Sequence, residues 1–121
     1  MSPAEESDEG IAAVLSRLDD MAILSAGWLD GGGEKVTGEA LERAREMLPE
    51  LLRRDIPRPR IYPTPEGGLQ AEWSGEGREV SITFEVDGAL SALAVSGDSG
   101  EPDELHDGDA ERIARFVLRV R

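Results

Sequence analysis

The chain contains no cysteine, one histidine and few aromatic residues, and each shortage excludes a class of chemistry. Without cysteine there are no disulfides, thiolate metal sites or thiol nucleophiles, which fits a reducing compartment. The usual general base for a serine or threonine nucleophile is limited to His106. Two tryptophans, two phenylalanines and one tyrosine leave a core that has to be largely aliphatic. We therefore expect a cytoplasmic protein that is not an enzyme.

An export signal and long apolar runs are also missing. The N-terminus reads MSPAEESDEG, which has neither the basic start nor the apolar stretch of a secretory signal. The longest apolar run, around Met21 to Leu24, is far too short to span a bilayer. We expect no membrane association. Residues 1–8 are expected to form a disordered acidic tail ahead of a single α+β domain over 9–121.

Basic residues are scarce relative to acidic ones. Thirteen Lys and Arg stand against 26 Asp and Glu, for a formal net charge of −13. Such a surface repels phosphate backbones and anionic lipids, which disfavours nucleic acid as a partner. Two explanations of the acidity stay open. It keeps a small protein soluble and monomeric, or the acidic face binds a basic partner or mimics nucleic acid.

Apolar periodicity predicts an α+β fold in two layers, with N-terminal helices, an antiparallel β-meander of three to four strands and a C-terminal helix. Helices are expected over about 9–24, 38–54 and 109–120. Thr37 is the expected N-cap of the second helix, and Pro49 predicts a kink or break in it. The second and third helices are expected to cover one face of the sheet.

The clearest strand signals lie between Arg58 and Val86, where apolar residues alternate with polar ones and are expected to share one face: Val80, Ile82, Phe84 and Val86. Strands are expected at about 60–63, 68–74, 78–86 and 89–96. In the last of these, Leu93 and Val95 have the opposite parity to Leu90, Ala92 and Ala94, which indicates either a bulge or apolar cover on both faces. The acidic segment 97–108 is expected to be a solvated loop.

Side-chain parity separates the meander into a core face and a second face. Leu69, Ala71 and Trp73 share one parity, so Trp73 is expected to anchor the sheet to the helices. The second face is polar, and it is either a docking surface or an ordinary solvated face of an antiparallel sheet. The candidate partner-binding residues on it are Gln70, Glu72, Thr83 and Glu85.

Trp28 is a further candidate for partner binding. It lies in the glycine-rich segment GWLDGGGEKV, where an apolar ring either folds back over the core or stays exposed as an interface anchor.

No residue pattern identifies a catalytic, cofactor-binding or metal site. His106 has no serine in an elbow context near it. The acids between 98 and 111 match no calcium-binding loop, and the glycine turns lack the lysine and helix of a phosphate loop. We expect no cofactor and no metal.

Three functional hypotheses follow. The first is a non-enzymatic interaction or regulatory module, of the accessory, immunity or antitoxin kind, that binds another protein through an acidic surface. The second is a nucleic-acid-associated module that uses Arg53 to Arg60 and the arginines of the C-terminal helix. The third is a small enzyme with a carboxylate site.

The run IYPTPEGGLQAEW, Ile61 to Trp73, followed by an alternating strand and Asp87-Gly88, resembles a family of small uncharacterised bacterial proteins. In that family a GWLDG-like loop and an EALERA-like helix precede the proline-glycine turn and the Glu-Trp strand. The resemblance covers about residues 11–96. It implies the same fold and a bacterial setting, with no established activity; the members look like accessory proteins.

The order of helix, strands and helix is also similar to the double-stranded-RNA-binding arrangement. Such a reader needs cations at its last helix and the preceding loop. Here a block of acids precedes Arg112, Arg115 and Arg119, so the charge departs from that pattern.

Overall fold

In a computed structural model, the protein is described over residues 3–54, 56–75, 77–96 and 103–119. The helices are α1 (Pro3–Ala22), α2 (Gly38–Arg53) and α3 (Ala110–Arg119). The strands are β1 (Arg60–Pro63), β2 (Leu69–Gly75), β3 (Arg78–Phe84), β4 (Leu90–Ser96) and β5 (Asp103–His106). Over these residues the α+β fold is as expected, with five strands where three to four were predicted.

The five strands form one antiparallel sheet in the order β1-β2-β3-β4-β5, so that each strand pairs with its neighbour along the chain. The strand β5 corrects the prediction of a solvated loop over 97–108, because Asp103–His106 pairs with β4. Residues 97–102 of that predicted loop lie outside the described residues.

The helices cover one face of the sheet. The helix α1 packs on α2 and β1, and α2 also contacts β2, β3 and α3. Buried apolar residues from all three helices and from β1 to β4 form one core. Trp73 is 7% exposed within it, and its indole N–H donates a hydrogen bond to the Pro57 carbonyl oxygen at 2.6 Å. The prediction that Trp73 anchors the sheet is confirmed.

The helix α2 begins where predicted and continues past its proline. The Thr37 hydroxyl oxygen accepts from the Ala40 N–H at 3.2 Å, as an N-cap does, and its O–H donates to the Val86 carbonyl oxygen at 2.8 Å. The predicted break near Pro49 does not occur. Pro49 is itself buried with the apolar face of α2, and that packing outweighs one missing backbone donor.

The helix α1 begins at Pro3 rather than near residue 9 and ends at Ala22. The Lys35 ammonium donates to the carbonyl oxygens of Ala22 and Leu24 at 3.0 and 3.2 Å. A cation is favourable there because the last carbonyls of a helix lack intrahelical partners. Residues 1 and 2 of the expected tail lie outside the described residues. Within the described chain, no helix has the length and apolarity that crossing a bilayer requires.

Two details of the predicted strands change. The strand β4 pairs with β3 in continuous register from Leu90 to Ser96, so the bulge alternative is wrong and β4 carries apolar residues on both faces. The alternation in the sequence predicts that Val86 extends the buried face of β3, and this is wrong. Val86 is 41% exposed, because β3 ends at Phe84 and the chain then enters the turn before β4.

Candidate functional site

The sheet face turned away from the helices is the surface on which the sequence places most candidate residues. We call it the open face. By strand parity and register its members are Arg60, Tyr62, Gln70, Glu72, Ser74, Glu79, Ser81, Thr83, Ser91, Leu93, Val95, Glu104 and His106.

The register arranges the polar residues of the open face in rows across the strands. Gln70 and Thr83 are direct cross-strand partners, and Tyr62 and Ser91 flank them in the same row. His106 ends that row at β5. The structure thus brings together the predicted residues Gln70 and Thr83.

Glu72 is held by two side chains of β1. Arg60 donates to its Oε1 at 2.8 Å, and the Tyr62 hydroxyl donates to its Oε2. Arg60 also donates to the Ser74 hydroxyl at 3.2 Å. The Glu72 side chain is 20% exposed. The carboxylate therefore fastens the edge strand β1 to β2 and presents little free surface to a partner.

The phenol of Tyr62 reports on this contact. Its hydrogen bond to the Glu72 carboxylate raises the pKa of Tyr62 above the ordinary value of 10.0. Burial and the negative charge of Glu72 add to the increase, whereas the Arg60 guanidinium lowers the pKa.

An apolar pair interrupts the polar face. Leu93 and Val95 of β4 are 36% and 44% exposed. Leu93 lies in register between Ser81 and Glu104, and Val95 pairs with Glu79. The open face therefore has an exposed apolar pair between two carboxylates. The sequence placed both residues on this parity but gave no reason to connect them with binding.

Trp28 does not lie on the open face. Its indole N–H donates to the Glu34 carbonyl oxygen at 2.8 Å, and its ring lies against Gly33, where an added Cβ would come within 2.7 Å of it. Trp28 is not among the described apolar residues that pack on the core. The ring lies against its own loop and is partly exposed, and a partner-binding role for it stays a prediction.

Glu85 follows the last residue of β3, in the turn before β4. Its backbone N–H donates to the Ala89 carbonyl oxygen at 2.8 Å, and its side chain is exposed. It stands at the end of the open face rather than within its rows.

The PTPEGG turn of the family resemblance has a structural role. Gly68 is in close contact with β3, since an added Cβ would lie 2.5 Å from the Phe84 carbonyl oxygen. The Glu34 N–H donates to the Pro65 carbonyl oxygen and the Thr37 N–H to that of Gly67, at 2.9 and 3.0 Å. These bonds join the β1–β2 turn to the start of α2.

Three of the cations of the nucleic-acid hypothesis are paired with acids. Arg53 contacts Glu50 at 2.6 Å, Arg60 contacts Glu72, and Arg115 contacts Glu111 at 3.6 Å. Exposed pairs of this kind stabilise a fold little, but they neutralise the local charge that would attract phosphate.

His106 is exposed on β5, with Nε2 at 3.5 Å from Glu104 Oε2. Among the described residues, no group of three His, Asp or Glu side chains is placed to hold a metal ion.

In comparisons with known proteins, no family model, curated protein or solved structure matches the chain. Function has to be inferred from the surface itself.

Proposed function

We propose that the protein is a non-enzymatic module that binds another protein through the open face, with Leu93 and Val95 at the centre of the contact and acids around it. The partner carries a basic surface around an apolar centre. The exposed apolar pair between Glu79 and Glu104 is the observation that supports this proposal most directly.

The composition of the face fits such a role. Interfaces place apolar residues at the centre of the contact and polar residues at the rim, where they stay accessible to solvent. Here Leu93 and Val95 would form the centre, and Ser81, Glu79 and Glu104 the rim. With a net charge of −13, the molecule attracts basic partners and repels acidic ones.

A photo-crosslinking side chain at position 93 tests the proposal in the native host. We expect one main protein adduct, and we expect it to weaken at high salt because the acidic rim is screened. The matched control carries the same side chain at Glu46, which is exposed on α2 in the opposite layer. If no adduct forms at 93, or if both positions give the same adducts, the proposal is wrong.

Charge reversal tests the acidic rim separately. We expect Glu79→Lys to reduce the adduct at position 93, because it places a cation beside the apolar centre. Glu46→Lys makes the same change in net charge on the helical layer and should leave the adduct unchanged. An equal loss of the adduct in both variants would show that binding depends on the net charge and not on the position of the acid.

A further inference from the structure

The two edge strands of the sheet, β1 and β5, differ in how many outward backbone N–H and C=O groups are available to a further strand. At β1, the Thr64 N–H donates to the Gly68 carbonyl oxygen at 3.0 Å. Because hydrogen-bonded and non-hydrogen-bonded pairs alternate in antiparallel strands, Ile61 and Pro63 direct their backbone groups away from β2.

Of the four outward backbone positions of Ile61 and Pro63, one is occupied and one lacks its donor. The Arg17 Nε–H of α1 donates to the Ile61 carbonyl oxygen at 3.0 Å, and Pro63 has no N–H. Within the described residues, the Ile61 N–H and the Pro63 carbonyl oxygen stay available. Proline and a covering side chain are common means of protecting a sheet edge, so β1 offers fewer backbone hydrogen bonds to a further strand than β5 does.

The edge at β5 has no such cover among the described residues. The Asp107 N–H donates to the Leu90 carbonyl oxygen at 2.7 Å, which makes that pair a hydrogen-bonded one. By alternation, Glu104 and His106 direct their backbone N–H and C=O groups away from β4. Within the described part of the chain, no hydrogen bond reaches these groups. Because Glu104 and His106 are alternate residues of one strand, their outward groups have the spacing at which an added strand forms hydrogen bonds.

The side chains of β5 define what a further strand would need. Asp103 and Glu104 are exposed carboxylates, and Leu105 is partly exposed while it packs on the core. A strand paired with β5 would place alternate residues beside Glu104 on the open face and beside Leu105 on the helical side. Basic residues suit the first position, and apolar residues suit the second.

We propose that an extended basic segment of the partner protein adds to β5 as a sixth strand. This inference rests on the proposed function. It adds backbone hydrogen bonds to β5 to the contact that the same partner makes with the open face. Charge complementarity decides the occupant, because a second copy would bring together two chains of net charge −13 each.

Hydrogen exchange of the uncomplexed protein is the first test. We expect the Leu105 amide to be protected by its bond to β4, and the amides of Glu104 and His106 to exchange as exposed groups. Slow exchange at Glu104 and His106 would show that the edge is already covered, and it would overturn the proposal.

The second test uses a short synthetic peptide of alternating lysine and valine with blocked ends. We expect it to shift and protect the amides of Glu104 and His106 in two-dimensional NMR spectra. A peptide of alternating glutamate and valine should not bind. The lysine peptide with N-methylated alternate amides should not bind either, because it lacks the donors that pair with β5. Equal binding of all three peptides would overturn the proposal.

Two variants locate the contact. His106→Pro removes an outward N–H without breaking a bond to β4, and we expect it to weaken peptide binding about tenfold. Glu104→Lys should weaken binding at least about threefold, and Glu46→Lys should leave it unchanged. Leu105 protection in each variant confirms that β5 is still paired. Unchanged binding to His106→Pro would overturn the proposal.

The outcomes separate this inference from the proposed function. If the adduct at position 93 forms equally in His106→Pro, the open face binds a partner and the edge is not used. If no adduct forms at 93, the proposed function itself fails. Self-association that His106→Pro abolishes would assign the edge to a second copy and overturn the basic segment as its occupant.

Discussion

At the scale of single residues, the structure gives Glu72 a different role from the one that its parity predicts. Parity alone makes it a polar side chain on the second face, whose replacement by alanine would leave the fold intact. The structure gives it two donors, Arg60 and Tyr62, both on the edge strand β1. Its replacement should therefore loosen β1 before it affects any partner.

The single tyrosine gives a direct measurement of this contact. Because Tyr62 is the only tyrosine, phenolate absorbance during an alkaline titration reports its ionisation alone. We expect a midpoint above the ordinary pKa of 10.0, and we expect Glu72→Gln to move it back towards that value, because the carboxylate is the main cause of the increase. An unchanged midpoint in Glu72→Gln would contradict the contact.

The raised pKa also predicts how stability depends on pH. A group whose pKa is higher in the folded than in the unfolded state contributes stability that is complete below the unfolded pKa. That contribution is lost as the pH rises through the folded pKa. The native protein should therefore lose stability relative to Tyr62→Phe as the pH is raised beyond about 10. Urea unfolding of both proteins at a series of alkaline pH values measures the difference.

The two tryptophans form a matched pair for testing which ring belongs to the core. Trp73→Ala should lower the free energy of unfolding by about 3–5 kcal/mol, because the ring is buried among the helices and the sheet. Trp28→Ala should cost about 1 kcal/mol, which corresponds to its hydrogen bond to Glu34. Urea denaturation gives both values. Similar losses would mean that Trp28 packs on the core after all.

At the scale of elements, Gly68 of the β1–β2 turn is needed for close approach rather than for its backbone angle. Gly68→Ala should lower the free energy of unfolding by about 1–3 kcal/mol, since its Cβ would collide with the Phe84 carbonyl group. Gly38→Ala is the control, because no atom lies within 4 Å of its added Cβ. The control should be neutral or stabilising in a thermal melt. A neutral Gly68→Ala would show that the turn can shift.

The elements with a clear apolar period could be predicted from sequence, and β5 could not. Stripes of apolar residues fixed α2, α3 and β1 to β4 to within a few positions. The strand β5 reads Asp-Glu-Leu-His, with a single apolar residue and no β-branched one. It forms a strand because it pairs with β4. That is a tertiary effect, which the local strand propensity of four residues does not predict.

The same limit applies to the candidate site. Parity predicts that Gln70, Glu72 and Thr83 share a face, because alternation is a local property of a strand. It does not predict that Arg60 and Tyr62 hold Glu72, since this depends on which residues face each other across the turn. Exposure of Leu93 and Val95 depends likewise on which face the helices cover.

At the scale of the whole molecule, the excess of acids acts against compactness. A net charge of −13 produces self-repulsion that is relieved on unfolding, and dissolved salt screens it. The midpoint of thermal unfolding should therefore rise between about 0.01 M and about 0.15 M salt, as the screening length falls from about 30 Å to about 8 Å. NaCl and KCl should act equally. A midpoint that falls or stays constant would contradict repulsion as the main effect.

The uninterrupted order β1 to β5 has a further consequence, for the rate at which the chain folds. Every strand pairs with the strand next to it in sequence, so each pairing closes a short loop and costs little chain entropy. Native contacts in the sheet are therefore local for a β-structure, and domains of low contact order fold fast. The sheet can be completed one hairpin at a time, without waiting for distant parts of the chain to meet.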